Sequence, residues 1–278
     1  MELDPSTMQR LRAVLLELLQ VVDKFCEEHG ITYFLEGGSA LGAARHGGFI
    51  PWDDDADVGM LRADYERFIV EAEHGLPDGY SLRTYDNTPG YAGMFAKVCK
   101  DGTVFETLET RSEGISQSIF VDIFPYDELS SDPKERKHQI RQASTWSKLS
   151  YLYHAPYVTL PWKGVLGACG HAACKVVHRI LQLRYSRERV KENFEAALPF
   201  DAEPSGYVTT LAFTSFGDIP RSSIVPVKRL PFEGIMLCCP GDIVSYLTHG
   251  FGEDWTELPP VEQRKTHAPV ALDFGEDS

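Results

Sequence analysis

The chain has 278 residues, 43% hydrophobic and 24% charged, an ordinary globular composition large enough for one substantial domain or a core with an appended lobe. Its 27 basic and 41 acidic residues leave a net charge of -14. That argues against a nucleic-acid partner, since nonspecific affinity for nucleic acid comes from basic patches on phosphates.

The opening segment, MELDPSTMQRLRAVLLELLQ, is charged throughout and lacks the apolar run and small-residue cleavage site of a secretory signal. Asp4 and Pro5 predict a helix start. Met8, Leu11, Leu15, Leu18, Val22 and Phe25 follow at helical spacing, and Gly30 predicts the stop. ITYFL (31–35) reads as a strand ending in the turn EGGS. SALGAARHG reads as a short helix with Ser39 as its N-cap, DADVGM (55–60) as a strand and RADYERFIVEAEHG (62–75) as an amphipathic helix.

MFAKVCK (94–100) and SIFVDIFPY (118–126) are further strand candidates. Residues 133–198 look largely helical, with interruptions around Pro156 and Pro161. The most apolar stretch, LPWKGVLGACGHAACKVVHRILQL, is broken by Pro161, Lys163, His171, Lys175 and glycines, and no uninterrupted apolar run approaches the ~20 residues of a bilayer span. It reads as a buried helix, with membrane-surface contact as the alternative. Beyond residue 199 Pro and Gly cut the chain into short pieces, of which RLPFEGIMLCCP (229–240) reads as a strand. Helices and strands mix without regular βαβ alternation, which predicts an α+β fold. The organisation expected is a catalytic core over 1–130, a mostly helical region over 131–200 and a C-terminal segment over 201–278 that returns to the core.

Six cysteines form no regular disulfide framework, so reduced thiols and a cytoplasmic location are expected. Cys169, His171 and Cys174 lack the second ligand pair of a zinc site.

The stretch GGFIPWDDDADVGM (47–60) sets Asp53, Asp54, Asp55 and Asp57 among Ile50, Pro51, Trp52, Val58 and Met60. Carboxylates this close raise one another's pKa unless something positive sits among them. On a strand, Asp53, Asp55 and Asp57 would share one face while Ala56 and Val58 pack inward. Carboxylates at i and i+2 suit one hard cation. Magnesium fits best, with manganese as the alternative, because it takes oxygen ligands and leaves positions for phosphates. Asp122 in FVDIFP is a third acid in a hydrophobic strand. If the two strands adjoin, Asp55, Asp57 and Asp122 converge as metal ligands and catalytic acids for an in-line phosphoryl displacement, with Asp53 as a weaker fourth ligand. A calcium loop is the rival reading, but Val58 stands where that loop needs Gly and Asp64 where it needs Glu.

Upstream, LEGGSALGAARHG brings Gly37, Gly38 and Ser39 to a helix start, where backbone N–H groups favour phosphate. Arg45, His46 and Lys97 are the candidates to neutralise that phosphate.

GGSALGAARHGGFIPWDDDADVGM closely resembles the signature of the LicD family, phosphocholine transferases of bacterial surface glycans and lipopolysaccharide, with which fukutin-related proteins share it. FVDIFPYD resembles the family's second block and PFEGIMLCCPGDIVSYLTHGFGEDWTELPP its C-terminal block; 133–228 carries no motif. The resemblance implies a nucleotidyltransferase-like small mixed sheet flanked by helices, with 131–200 as an inserted helical region. It implies Asp55 and Asp57 as the metal pair, Asp122 as the third carboxylate and Gly38 with Ser39 as the phosphate turn. The reaction implied is transfer of a phospho-substituent, typically phosphocholine from CDP-choline, to a hydroxyl of a cell-surface glycan such as lipopolysaccharide or teichoic acid, releasing CMP. Its partners would be a CDP-activated donor and a glycan acceptor, without nucleic acid, and peripheral contact at the inner face of the membrane fits that acceptor. Two departures stand out: Gly38-Ser39-Ala40-Leu41 replaces the commoner Gly-Thr-Leu-Leu, and Cys238-Cys239 sits in a usually apolar strand. The rival activities are nucleotidyl transfer releasing pyrophosphate, a D-x-D glycosyltransferase and a binding protein on the same scaffold.

Overall fold

The computed structural model describes residues 3–107, 110–111, 116–156, 164–213, 217–264, 266–267 and 269–275. Helix α1 (Pro5–His29) starts where Asp4 accepts hydrogen bonds from the amides of Ser6 and Thr7, and stops at Gly30, whose φ of 61° suits a left-handed cap. Its leucine stripe is buried. Strand β1 (Phe34–Leu35) is shorter than ITYFL predicts. Helix α2 (Gly37–His46) begins three residues before its predicted start, so Glu36 is the N-cap and Ser39 lies inside the first turn.

Then follow β2 (Asp57–Leu61), α3 (Arg62–Gly75), β3 (Tyr80–Arg83), β4 (Ala96–Lys100), β5 (Val104–Glu106) and the long β6 (Phe120–Ser130). The helical region holds α4 (Pro133–His154), α5 (Gly164–Arg184) and α6 (Arg187–Glu195). The C-terminal part contributes β7 (Pro204–Thr209), β8 (Ile219–Pro220), α7 (Arg221–Ile224), β9 (Lys228–Phe232), β10 (Ile235–Cys239), α8 (Ile243–Phe251) and β11 (Ala271–Asp273).

The sheet runs β1-β2-β6-β4-β3 and continues through β7 and β8, which extend from the second half of β6. Among the described residues, its only parallel pair is β2–β6. This mixed, curled sheet with helices around it is the α+β, nucleotidyltransferase-like fold that the sequence predicts. One face is apolar: Val58, Met60, Val121, Ile123 and Val98 are fully buried. Helices α1 and α3 cover that face, tied down by Glu17 of α1 to Lys100 and by Arg62 of α3 to Asp127 in a bidentate pair of 2.7 and 2.8 Å. The other face carries Asp57, Asp122, Lys97 and Arg83.

Three further sequence expectations change. The segment 229–240 is not one strand but the hairpin β9–β10, turned by Glu233 (φ 49°) and Gly234 (φ 83°); two left-handed residues in a row make the tight turn that matches strand twist. Asp53 and Asp55 precede β2, so strand alternation does not explain their placement. The apolar stretch is helical in α5, but Val176, Ile180 and Leu183 are exposed rather than buried. Pro161 lies outside the described residues. All six cysteines are free, and among the described residues no helix is long and apolar enough to cross a membrane.

Candidate active site

Register across the sheet lines up one row of charged residues. Glu36 donates its amide to the carbonyl of Asp57 (3.0 Å), Asp57 pairs with Asp122, Asp122 with Lys97 and Lys97 with Arg83. Paired positions put side chains on the same face, so the row reads acid, acid, acid, base, base. Lys97 Nζ lies 2.5 Å from Asp122 Oδ1 and 3.4 Å from the centre of the Phe120 ring. Both partners are largely buried, the side chains being 9% and 16% exposed.

Asp53, Asp54 and Asp55 come from the loop entering β2, which three outside elements hold. Arg12 of α1 donates to the carbonyls of Ile50 (2.8 Å) and Asp53 (3.2 Å). The tip of the β9–β10 hairpin donates from the Glu233 amide to Gly47 O, and the Glu233 carboxylate accepts from the Phe49 amide. A Cβ on Gly48 would lie 2.0 Å from that carboxylate, so a larger residue there would displace the Glu233 side chain from the Phe49 amide. His267, from the C-terminal segment, donates its amide to buried Asp54 (2.9 Å), while its ring Nδ1 lies 3.3 Å from Asp54 Oδ1 and 3.4 Å from Asp55 Oδ2.

The glycine turn is fixed from both ends. Ser39 Oγ accepts the amide of Asp57 (2.9 Å), tying α2 to β2. The amide of Gly37 donates to the hydroxyl of Tyr246 in α8 (3.1 Å), and the Tyr126 hydroxyl donates to Glu36 Oε1 (2.8 Å) while lying 3.2 Å from that of Tyr246. The amides of Gly38 and Ser39 belong to the first turn, whose N–H groups have no partners within a helix, and a Cβ on Gly38 would come within 3.1 Å of Asp53 Oδ2.

Electrostatics follow from burying so many acids together. Burial pushes Asp57 well above the usual carboxylate range, with Asp55, Glu36 and Asp122 adding to it. Burial likewise raises Asp55, against the pull of His267, and Asp122, against the pull of Lys97. Glu36 rises to about 7 through burial, opposed by its Tyr126 hydrogen bond and reinforced by Asp122 and Asp55. Asp53 also rises to about 7, through burial and then its neighbours Asp55 and Asp54. The hydrogen bond with Asp54 is the main reason His267 is raised to about 9.

This donor set fits a hard divalent cation: it is all carboxylate with one imidazole, and its acids outnumber Lys97 and His267. Among the described residues, Asp54, Asp55 and His267 form the group of three whose ligand atoms all lie within 4.8 Å of one another. Asp57 and Asp122, paired in the row, feel the charge of that group, Asp57 through Asp55 and Asp122 through His267, and Asp122 is also engaged by Lys97.

Of the residues singled out from sequence, Gly37, Gly38, Ser39, Asp53, Asp55, Asp57, Lys97 and Asp122 gather here. Arg45 and His46 sit at the far end of α2 from the glycine turn, where Arg45 donates to the carbonyls of Trp255 and Glu257 and so anchors the C-terminal segment. Sequence reasoning missed Glu36, although an acid directly before a glycine turn was a usable signal. It also missed Arg12, Tyr126, Tyr246 and His267, which reach the site only through the fold.

The LicD/FKTN/FKRP nucleotidyltransferase domain matches residues 30–169, half of the chain, and so spans the glycine turn, the acid loop, β2 and the whole of β6. The chain belongs to the LicD family. It is 28% identical over 274 residues to the lipopolysaccharide cholinephosphotransferase LicD of Haemophilus influenzae, covering 94% of this chain and 96% of that one. It is 30% identical over 169 residues to the ribitol-5-phosphate transferase FKTN of Mus musculus, and 54% identical over 60 residues to the ribitol 5-phosphate transferase FKRP of Homo sapiens. Those matches cover 59% and 22% of this chain, and 31% and 11% of the relatives.

Proposed function

We propose that the protein is a phosphotransferase that moves a phospho-substituent, phosphocholine from CDP-choline in the first instance, to a hydroxyl of a lipopolysaccharide or related surface-glycan precursor, releasing CMP. The observation that carries this reading is the row Glu36–Asp57–Asp122–Lys97 beside the amides of Gly38 and Ser39. Near-full-length similarity to a cholinephosphotransferase supports the choice of donor.

In this reading the donor's pyrophosphate lies against the first turn of α2, where the amides of Gly38 and Ser39 donate to it. Asp55, Asp57 and Asp122 would hold magnesium or manganese, which when bound neutralises the phosphates and the developing charge on the leaving group. Asp122 is oriented by Lys97 through one oxygen, which leaves the other to accept the proton of the acceptor hydroxyl. The acceptor oxygen forms a bond to the phosphorus that bears the head group as the bond from that phosphorus to the CMP oxygen breaks. Lys97 supplies positive charge across the row, and Ser39 keeps the glycine turn in register with Asp57.

A polyol phosphate in place of phosphocholine is the second reading, favoured by the 54% identity to a ribitol 5-phosphate transferase over 60 residues. Incubation with CDP-choline, CDP-ethanolamine or CDP-ribitol, read by CMP release, distinguishes the donors. Pyrophosphate release from a nucleoside triphosphate would instead support nucleotidyl transfer, and hydrolysis of a nucleotide sugar a glycosyltransferase.

A further inference from the structure

Helix α5 has two contrasting sides. Its inner side packs on α4: His178 and Leu181 are buried, and His178 Nδ1 lies 2.8 Å from the carbonyl of Leu152. At about 3.6 residues per turn, Cys169, Ala173, Val176, Ile180 and Leu183 fall on one outward stripe, and all are exposed. Leu183 is 89%, Val176 59% and Ile180 55% exposed. An apolar stripe facing water on a helix that already has its packing side satisfied calls for a second surface.

Charge selects that surface. Lys175 and Arg179 border the stripe on one side and Arg184 on the other, all exposed. From Gly164 through Arg187 the sequence contains no acidic residue, in a chain that has 41 of them. Four other exposed apolar residues differ: Val244, Phe251, Leu258 and Val261 lie in a segment with Glu253, Asp254, Glu257 and Glu262, which an anionic surface would repel.

We infer that α5 docks on an anionic lipid bilayer, lying in the plane of the surface. Val176, Ile180 and Leu183 enter the boundary between headgroups and acyl chains, and Lys175, Arg179 and Arg184 meet lipid phosphates. Three large apolar side chains and three cations give weak, reversible, salt-sensitive attachment, and the chain's overall charge of -14 makes it depend on this one patch. The docking stands independently of which phosphoalcohol the enzyme transfers.

Co-flotation of the full chain with vesicles tests it, comparing phosphatidylcholine alone with phosphatidylcholine plus phosphatidylglycerol. The chain is expected to float with the mixed vesicles at low salt and to stay behind with the neutral ones. Ile180→Glu with Leu183→Glu should abolish flotation. Arg179→Ala and Arg184→Ala should each weaken partitioning about fivefold, the value of one cation near an anionic surface. Unchanged far-ultraviolet dichroism and thermal midpoint establish that the variants fold, and R184A, at an exposed position, serves should the double variant not. No flotation with anionic vesicles, or flotation that these substitutions leave unchanged, would overturn the proposal. So would sedimentation of the wild type as a dimer that the Ile180 and Leu183 changes convert to a monomer, since the stripe would then be covered by a second copy.

Discussion

Asp57 and Asp122 stand at paired positions on β2 and β6, the one parallel pair of the described sheet. Two half-buried carboxylates so placed repel, and desolvation pushes both above the usual carboxylate range, with Asp55, Glu36 and Asp122 adding to it at Asp57 and Lys97 opposing it at Asp122. Such an arrangement is unfavourable for the fold and useful for binding a cation, and each half of that statement can be measured.

Asp57→Asn is expected to lower transferase activity by about 10²–10⁴, the range for removing an electrostatic or acid–base group. At pH 8 in chelator it should raise the thermal midpoint, because it removes a buried like charge. Kinetics and a melting curve on the same preparation check both, and a destabilised variant would contradict the account.

Lys97→Met leaves Asp122 buried without its partner. Loss of one member of a buried pair costs about 3–5 kcal/mol, so denaturant unfolding should show a loss of that order, with activity lost as well. The double variant with Asp122→Asn should recover much of the stability and none of the activity.

Stability should fall as pH rises in chelator. Glu36 and Asp53 titrate near 7 in the folded chain against 4.5 and 3.8 without the fold, so between about pH 4 and pH 7 the folded state holds more protons and loses stability as pH increases. His267, raised from 6.5 to about 9, adds stability that is full below about 6.5 and lost as pH rises through 9. Both act in the same direction. Magnesium competes with the carboxylate protons, so it should raise the thermal midpoint more at pH 8 than at pH 5. Equal stabilisation at the two pH values would contradict this.

Tyr246→Phe removes the acceptor of the Gly37 amide and a neighbour of the Tyr126–Glu36 pair. A cost of about 1–3 kcal/mol is expected, the price of a buried N–H left unpaired. Weaker donor binding should accompany it, read as a rise in KM, because the glycine turn loses its tether to α8.

Local chemistry made much of this legible in the sequence. Asp4, Pro5 and Gly30 define α1 because caps and breakers act within a few residues, and the glycine turn and the acids of 53–57 were visible as a cluster. Asp122 stood out because an acid among Phe120, Val121, Ile123 and Phe124 needs a reason to be there. What joins these pieces was not local. Pairing of Asp57 with Asp122, and of Lys97 with both neighbours in the row, depends on strand order. Arg12, Tyr246 and His267 arrive from remote segments, and no spacing rule links them to residue 55. Ser39 was misread as an N-cap because an α-helix beginning at Gly37 is unusual; its hydroxyl instead accepts the Asp57 amide. The exposed stripe of α5 has the same periodicity as a buried one, so only the packed neighbours distinguish them.

Metal-dependent cleavage of a CDP-activated donor tests the central claim most directly. Purified chain with CDP-choline and magnesium, followed by chromatography, should release CMP and phosphocholine slowly to water and faster to a glycan hydroxyl, with the Asp57→Asn and Asp122→Asn variants inactive. Intact CDP-choline, CDP-ethanolamine and CDP-ribitol alongside pyrophosphate release from CTP, or cleavage that chelator and both substitutions leave untouched, would contradict it.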